Sequence, residues 1–276
     1  MQVRYAVGPN ETRQFNTTEL RENFLIETLF TPNSLQLCYS HYDRVIVGGA
    51  MPVDSPVDLP TYPELRSDFF LERRELGIIN VGGAGSVTVD GQTYELAKLD
   101  GLYVGRGSRS VSFASQQADA PARFYLLSSP AHKEYPTQKA AQGDVFSAPM
   151  GSAEAANERT IYRYIHKDGL QSCQLVMGLT ILKPGSVWNT MPAHVHDRRM
   201  EAYFYFDLDH AHRVVHLMGQ SIETRHLMVA NHQAIISPPW SIHSGCGTSN
   251  YSFIWGMAGE NLDYADMDLI AIADLK

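Results

Sequence analysis

The chain has 276 residues, 44% hydrophobic and 19% charged, enough apolar material for one large domain or two ordinary ones and too little polarity for general disorder. Its 22 basic and 30 acidic side chains leave a net charge of −8, a poor electrostatic match for nucleic acid or an anionic membrane surface, so neither is expected as a partner. No stretch approaches the roughly 18 apolar residues of a spanning helix, and the opening MQVRYAVGPNETRQ has no apolar signal core, so a cytoplasmic protein is expected.

In chain order, the first predicted element is the one good helix candidate, Thr18 to Thr28. Thr17 or Thr18 would cap it, and Leu20, Phe24 and Leu25 repeat at helical spacing. Short β-branched or alternating runs follow, separated by Gly, Pro, Asn and Asp. In the first half they are Arg44 to Val47, Ser86 to Val89 before the Asp90-Gly91 turn, Ser110 to Phe113 and Phe124 to Leu127. The segment 136–159, rich in Ala, Gln, Ser and Gly, is predicted to connect two β-rich halves, 1–135 and 160–276. The second half continues with Leu175 to Leu182, Glu201 to Phe206, Arg213 to Leu217, Ala234 to Ile236 and Tyr251 to Trp255. Many short strands with turn chemistry between them imply an all-β chain of antiparallel sandwiches or barrels, with few short helices. The two halves resemble two copies of one architecture. Cys38, Cys173 and Cys246 are odd in number and far apart, which suits small buried hydrophobes rather than a disulfide framework or thiolate metal site.

The stretch that carries chemistry runs from Pro192 to Glu201, PAHVHDRRME, and is answered by Pro238-Pro239-Trp240-Ser241-Ile242-His243. Residues two apart on a strand face the same way, so His194 and His196 project together, about 6.5–7 Å apart at their α-carbons. Glu201, five residues beyond His196, would face the wrong way on an uninterrupted strand. A tight connection through Asp197 to Met200 into a new antiparallel strand would bring it back beside the histidines. His243 can then enter from a third strand after the Pro-Pro-Trp corner. Three imidazoles and a carboxylate suit Zn²⁺, Fe²⁺, Mn²⁺, Ni²⁺ or Co²⁺. Of the other histidines only His210 and His212 are spaced like ligands, and their Asp-rich loop has no distant third ligand, so no second metal site is expected there.

HxH(x4)E followed by a later His resembles the metal motifs of the cupin superfamily, which implies two tandem antiparallel jelly-roll barrels, a bicupin. Leu71 to Gly107 has barrel-like turns but no HxH, which implies a first half without a metal. A narrower resemblance rests on longer strings. They are WNTMP from Trp188, HVHDRRME from His194, YFYFD from Tyr203, WSIHSG from Trp240 and FIWGMAGEN from Phe253, with LERRELG from Leu71 in the first half. These are similar to the 5-keto-4-deoxyuronate isomerase family. The resemblance implies that His194, His196, Glu201 and His243 are zinc ligands, holding one divalent ion per subunit, in a homo-oligomer that is a hexamer. It also implies an aldose–ketose isomerase of pectin and polyuronate breakdown, converting 5-dehydro-4-deoxy-D-glucuronate to 3-deoxy-D-glycero-2,5-hexodiulosonate through an enediolate.

That chemistry needs a base to move a proton between C2 and C1 and a cation for the substrate carboxylate. Tyr203 and Tyr205 share the parity of Glu201 and are candidates to face the interior, and Glu260, with Asp263, is a candidate base after the Gly-Met-Ala-Gly turn. Arg163, Arg198 and Arg199 are the candidates for the carboxylate of a small anionic sugar acid. Two rival readings share the ligand set. A cupin Fe(II) dioxygenase predicts oxygen consumption and a largely apolar cavity, and a non-enzymatic sugar-binding bicupin predicts a metal that only organises the barrel.

Overall fold

The structure is a computed structural model and describes residues 1–276. Alternation along the strands decides its layers. In Arg199–Phe206, Tyr203 and Tyr205 point into one buried cluster while Ala202, Phe204 and Phe206 point into another. In Phe124–Pro130, Phe124 and Leu126 likewise part company with Tyr125 and Leu127. Strands apolar on both faces must be covered on both sides. They form two inner sheets that pack back to back, each with an outer sheet on its far side.

The inner sheet of the first half has seven strands in the order Gln2–Arg4, Ser34–Ser40, Ile46–Met51, Phe124–Pro130, Arg74–Asn80, Gly101–Val104 and Gln138–Ala140. Its outer sheet has four, Val57–Asp58, Val111–Ser115, Gly85–Val89 and Gln92–Leu96. The second half repeats this plan. Its inner sheet runs Phe146–Met150, Arg159–Ile165, Val176–Leu182, Ser252–Gly259, Arg199–Phe206, Gln233–Ser237 and Leu25–Ile26. Its outer sheet runs Glu223–Val229, Val214–Gln220, His243–Gly247, Trp188–Val195 and Asp268–Leu269. The chain is thus the expected all-β bicupin, each jelly roll being two hydrogen-bonded sheets rather than a closed barrel. The two inner sheets meet in one cluster of 24 buried residues that draws on both halves. They approach closely because Gly256 has no side chain; a Cβ there would lie 2.2 Å from Leu127 Cδ2.

Three features differ from the sequence expectation. The helix spans Thr17–Phe24 and is capped by Asn16, whose side chain accepts from Glu19 N at 3.1 Å while Glu19 accepts from Asn16 N at 2.8 Å. It stops before Thr28 because Leu25 and Ile26 pair with Ile235 and Ala234, so an N-terminal segment completes the inner sheet of the second half. The segment 136–159 also holds two strands. Gln138–Ala140 pairs with the first half and Phe146–Met150 with the second, and both are largely exposed edge strands.

A buried carboxylate ties the halves together. Glu75, on Arg74–Asn80, accepts from Tyr103 Oη (2.7 Å), Ser129 Oγ (3.1 Å) and the backbone N–H groups of Cys173, Gln174 and Leu175 (2.7–2.9 Å). In the same strand Leu76 stands two residues from the start and faces inward, the position Glu201 takes in Arg199–Phe206. Leu76 and Ile78 fill the interior of the first half where the second carries chemistry.

Candidate metal centre

The turn at Asp197–Arg198, closed by Arg199 N donating to His196 O at 3.0 Å, carries the chain from the outer sheet to the inner one. The expected reversal is therefore real, but Glu201 does not lie alongside His194 in one sheet. It faces the histidines across the sandwich, because Arg199–Phe206 pairs with Ser252–Gly259 and Gln233–Ser237 instead. His243 opens its strand directly opposite His194. The structure brings His194, His196, Glu201 and His243 together, all buried, with ligand atoms within 4.8 Å of one another.

The donor atoms converge on one point. His194 Nε2 lies 3.0 Å from both His196 Nε2 and His243 Nε2. Glu201 Oε2 lies 2.8 Å from His243 Nε2 and 3.2 Å from His196 Nε2, yet has no properly directed hydrogen bond. His196 Nδ1 sits 2.5 Å from the carbonyl of Asp266, which can only accept, so this nitrogen carries the proton and Nε2 presents a lone pair. His243 Nδ1 is held 3.3 Å from Ser237 Oγ. Burial, reinforced by His243, pushes the His194 imidazole down to about 3, so it is neutral near pH 7. Burial works against charge on Glu201, but the neighbouring His243 and His196 hold its carboxyl well below the usual range. Three imidazole nitrogens and a carboxylate oxygen thus crowd one small buried volume, with Glu201 Oε2 left without a directed hydrogen bond. The residues fit one divalent ion with nitrogen and oxygen ligands.

His194 and His196 from the outer-sheet side and Glu201 from the inner sheet line a cavity of about 310 Å³. Tyr203 lines it too. Its Oη lies 3.1 Å from Thr190 Oγ1, and burial together with Glu201 raises its pKa well above the ordinary value, so it stays a phenol. Tyr205 shares the inward parity but sits one layer deeper, its Oη 2.7 Å from His216 Nδ1, and does not reach the cavity. Glu260 is exposed outside the cavity, its backbone N–H donating to Arg198 O. Asp263 is exposed as well, 3.5 Å from Lys167 Nζ.

The three arginines singled out in the sequence are engaged elsewhere. Arg198 forks onto Asp266 (Nε to both carboxylate oxygens at 2.9 Å) and reaches Asp268 at 3.1 Å. Arg199 is buried and donates to Asp263 O at 2.7 Å. Arg163 lies over the ring of Tyr264, 3.9 Å from its centroid, and does not line the cavity. Arg198 and Arg199 thus strap residues 263–268 across the cavity mouth, where Tyr264, Met267 and Leu269 form part of the lining. The cation that does line the cavity is Arg159, which sequence reasoning missed. It lies four residues before Arg163 on the same strand and with the same parity, so alternation alone does not tell the two apart. The remaining lining is mostly apolar, including Met150, Ile161, Met191, Phe253, Trp255 and Met257. His210 is exposed and His212 half-buried; they bind Asp209 and Thr248, with no third ligand near them. All three cysteines are free, and no helix is long and apolar enough to cross a membrane.

Comparison with known proteins gives the chain a family. The profile of the KduI/IolB family matches residues 28–272. The chain is 57% identical, over the full length of both, to the 4-deoxy-L-threo-5-hexosulose-uronate ketol-isomerase of Shouchella clausii. It is 54% identical, again over both full lengths, to the protein of that name from Bacillus subtilis. Among solved structures it is similar in fold to an IolB-like protein from Salmonella typhimurium LT2, with TM-score 0.70 and 15% identity over 90% of this chain and 97% of that one. A mutant of Bacillus subtilis oxalate decarboxylase OxdC gives TM-score 0.53 and 11% identity over 79% of this chain and 70% of that one.

Proposed function

The chain belongs to the KduI/IolB family, and from that membership we infer that it is the ketol-isomerase acting on 4-deoxy-L-threo-5-hexosulose uronate, an intramolecular oxidoreductase of polyuronate breakdown. The full-length identity of 57% and 54% to relatives of that activity carries the reading. The product is the 2-ketose, 3-deoxy-D-glycero-2,5-hexodiulosonate.

The reaction moves a proton from C2 to C1 while the carbonyl moves from C1 to C2. His194, His196, Glu201 and His243 would hold one divalent ion, for which we propose Zn²⁺, since neutral imidazoles with one carboxylate suit it. Such an ion, when bound, supplies Lewis acidity towards the oxygens on C1 and C2 and so eases loss of the C2 proton. The chain's own part is positioning and exclusion of water. Tyr203, kept protonated beside Glu201, can donate a hydrogen bond to a substrate oxygen, and Thr190 orients its hydroxyl. The Arg198–Asp266 strap closes one side of the cavity and fixes the His196 ring through the Asp266 carbonyl. The substrate is a small anionic sugar acid, and nucleic acid and membranes are not partners. The exposed apolar side chains of Phe146, Met150 and Leu269 support a homo-oligomer, proposed as a hexamer and measurable by light scattering.

The mostly apolar lining is what an Fe(II) dioxygenase of this fold would also show. One experiment separates the two. The lyase-derived uronate is followed by NMR with purified protein, with an oxygen electrode in parallel. Disappearance of the C1 aldehyde and growth of the C2 ketone without oxygen uptake, lost in His196→Ala and Glu201→Ala, supports the isomerase. Oxygen uptake with no ketone would replace it with the dioxygenase.

A further inference from the structure

A substrate held by its C1–C2 end at the metal cluster needs a separate anchor for its carboxylate, which lies at the opposite end of a six-carbon chain. Among the side chains lining the cavity, Arg159 is the one guanidinium or ammonium group. Its strand, Arg159–Ile165, lies three strands across the inner sheet from Arg199–Phe206, on the far side of Val176–Leu182 and Ser252–Gly259. Arg159 and Glu201 therefore stand on the same face of one sheet, three strand spacings or about 14 Å apart across it, with the imidazoles facing that sheet from the outer one.

Arg159 is also free to bind. Its bond within the chain is Nη1 to Asn157 O at 2.8 Å, which orients the guanidinium but leaves its other donors open. It is half-buried among Tyr264, Tyr203 and Tyr251, and no carboxylate pairs with it. A guanidinium in such a setting is weakly hydrated and presents two parallel donors to a planar carboxylate. By contrast, the forks of Arg198 are filled by Asp266 and Asp268.

We propose that Arg159 binds the substrate carboxylate and makes the site select uronates over neutral sugars of the same length, an assignment that rests on the isomerase reading above. Arg159 would act as a specificity residue and take no part in the proton transfer between C2 and C1.

The test compares wild type, Arg159→Gln and Arg159→Lys, all metal-loaded, on the lyase-derived uronate and on its methyl ester, which removes the charge and keeps the chain. Binding of the uronate to each protein is measured by calorimetry alongside turnover. Wild type should prefer acid to ester by about 100-fold in kcat/KM. Arg159→Gln should lose that preference, with a rise of about 50- to 100-fold in KM and in Kd for the acid, little change in kcat, and unchanged metal content. Arg159→Lys should fall between, since a point charge replaces a fork. Retention of the full acid-over-ester preference by Arg159→Gln overturns the assignment and moves the carboxylate to another group. A wild type that turns over neither compound brings down the isomerase reading, and with it the role given to Arg159.

Discussion

His194 and His243 face each other across an antiparallel strand pair, 49 positions apart in the chain and 3.0 Å apart at Nε2. One imidazole comes from each strand, and Glu201 meets His243 and the neighbouring His196 from the opposite sheet, so the cluster clamps the two sheets together. Replacing His243 by Ala should abolish stoichiometric binding of a divalent ion. The loss of activity should exceed the 10- to 100-fold typical of removing an outer-shell partner. Elemental analysis with far-UV circular dichroism checks this, and the strands should persist because each half keeps its own buried core.

The strap predicts an effect at a distance. Arg198→Ala should free Asp266, loosen the carbonyl that orients His196 and weaken metal affinity by about 10- to 100-fold. Competition with a chelator gives the affinity. Unchanged affinity would mean that His196 is oriented without the strap.

Tyr203 and Tyr205 should separate by role. Tyr203→Phe removes a hydroxyl that faces the cavity and should lower kcat by about 100-fold, within the usual range for losing one hydrogen-bond donor to developing charge. Tyr205→Phe removes the partner of His216 away from the cavity. It should leave kcat nearly unchanged and cost about 1–3 kcal/mol of stability through an unsatisfied buried nitrogen. Steady-state kinetics and chemical denaturation distinguish them.

Glu75→Ala should destabilise the whole molecule without touching the cavity. It strands the backbone donors of Cys173, Gln174 and Leu175 at the junction of the halves, with an expected cost of about 3–5 kcal/mol. Thermal unfolding reads this as a lower Tm with normal metal content.

Acid should weaken the metal-free protein through two further histidines. Burial pushes His216 down to about 3 and His232 down to about 4, both below the ordinary value near 6.5. The unfolded chain therefore takes up protons first as pH falls. Stability from these groups is fully present above about 6.5 and is lost on the way down towards 4 and 3. Tm should fall between pH 7 and 4.5, and fall less steeply in His232→Asn, a residue that tolerates the positive φ of 62° there. An identical slope in the variant would remove His232 from the account.

The all-β class was legible in the sequence from alternating runs between turns, and the four residues of the candidate metal cluster from the HxH(x4)E pattern with its later His, although Glu201 and His243 reach the cluster only through non-local pairing. Alternation makes His194 and His196 neighbours on one face, and it gives Glu201, Tyr203 and Tyr205 a common side. What alternation does not encode is which strands meet. Tyr203 and Tyr205 look alike in sequence, and only the depth of the sandwich puts one in the cavity and the other behind it. Arg163, Arg198 and Arg199 look like anion forks until the strap at 263–268 folds back to occupy two of them and the Tyr264 ring covers the third. Arg159 reaches the cavity because four strands lie side by side in an order set by pairing between distant residues. Leu25–Ile26 crosses to the other half for the same reason: an unpaired inner-sheet edge at Gln233–Ser237 offers backbone hydrogen bonds that a longer helix would not satisfy. Local composition fixes the period and the facing of each strand, while the non-local hydrogen bonds between strands decide which side chains share a wall.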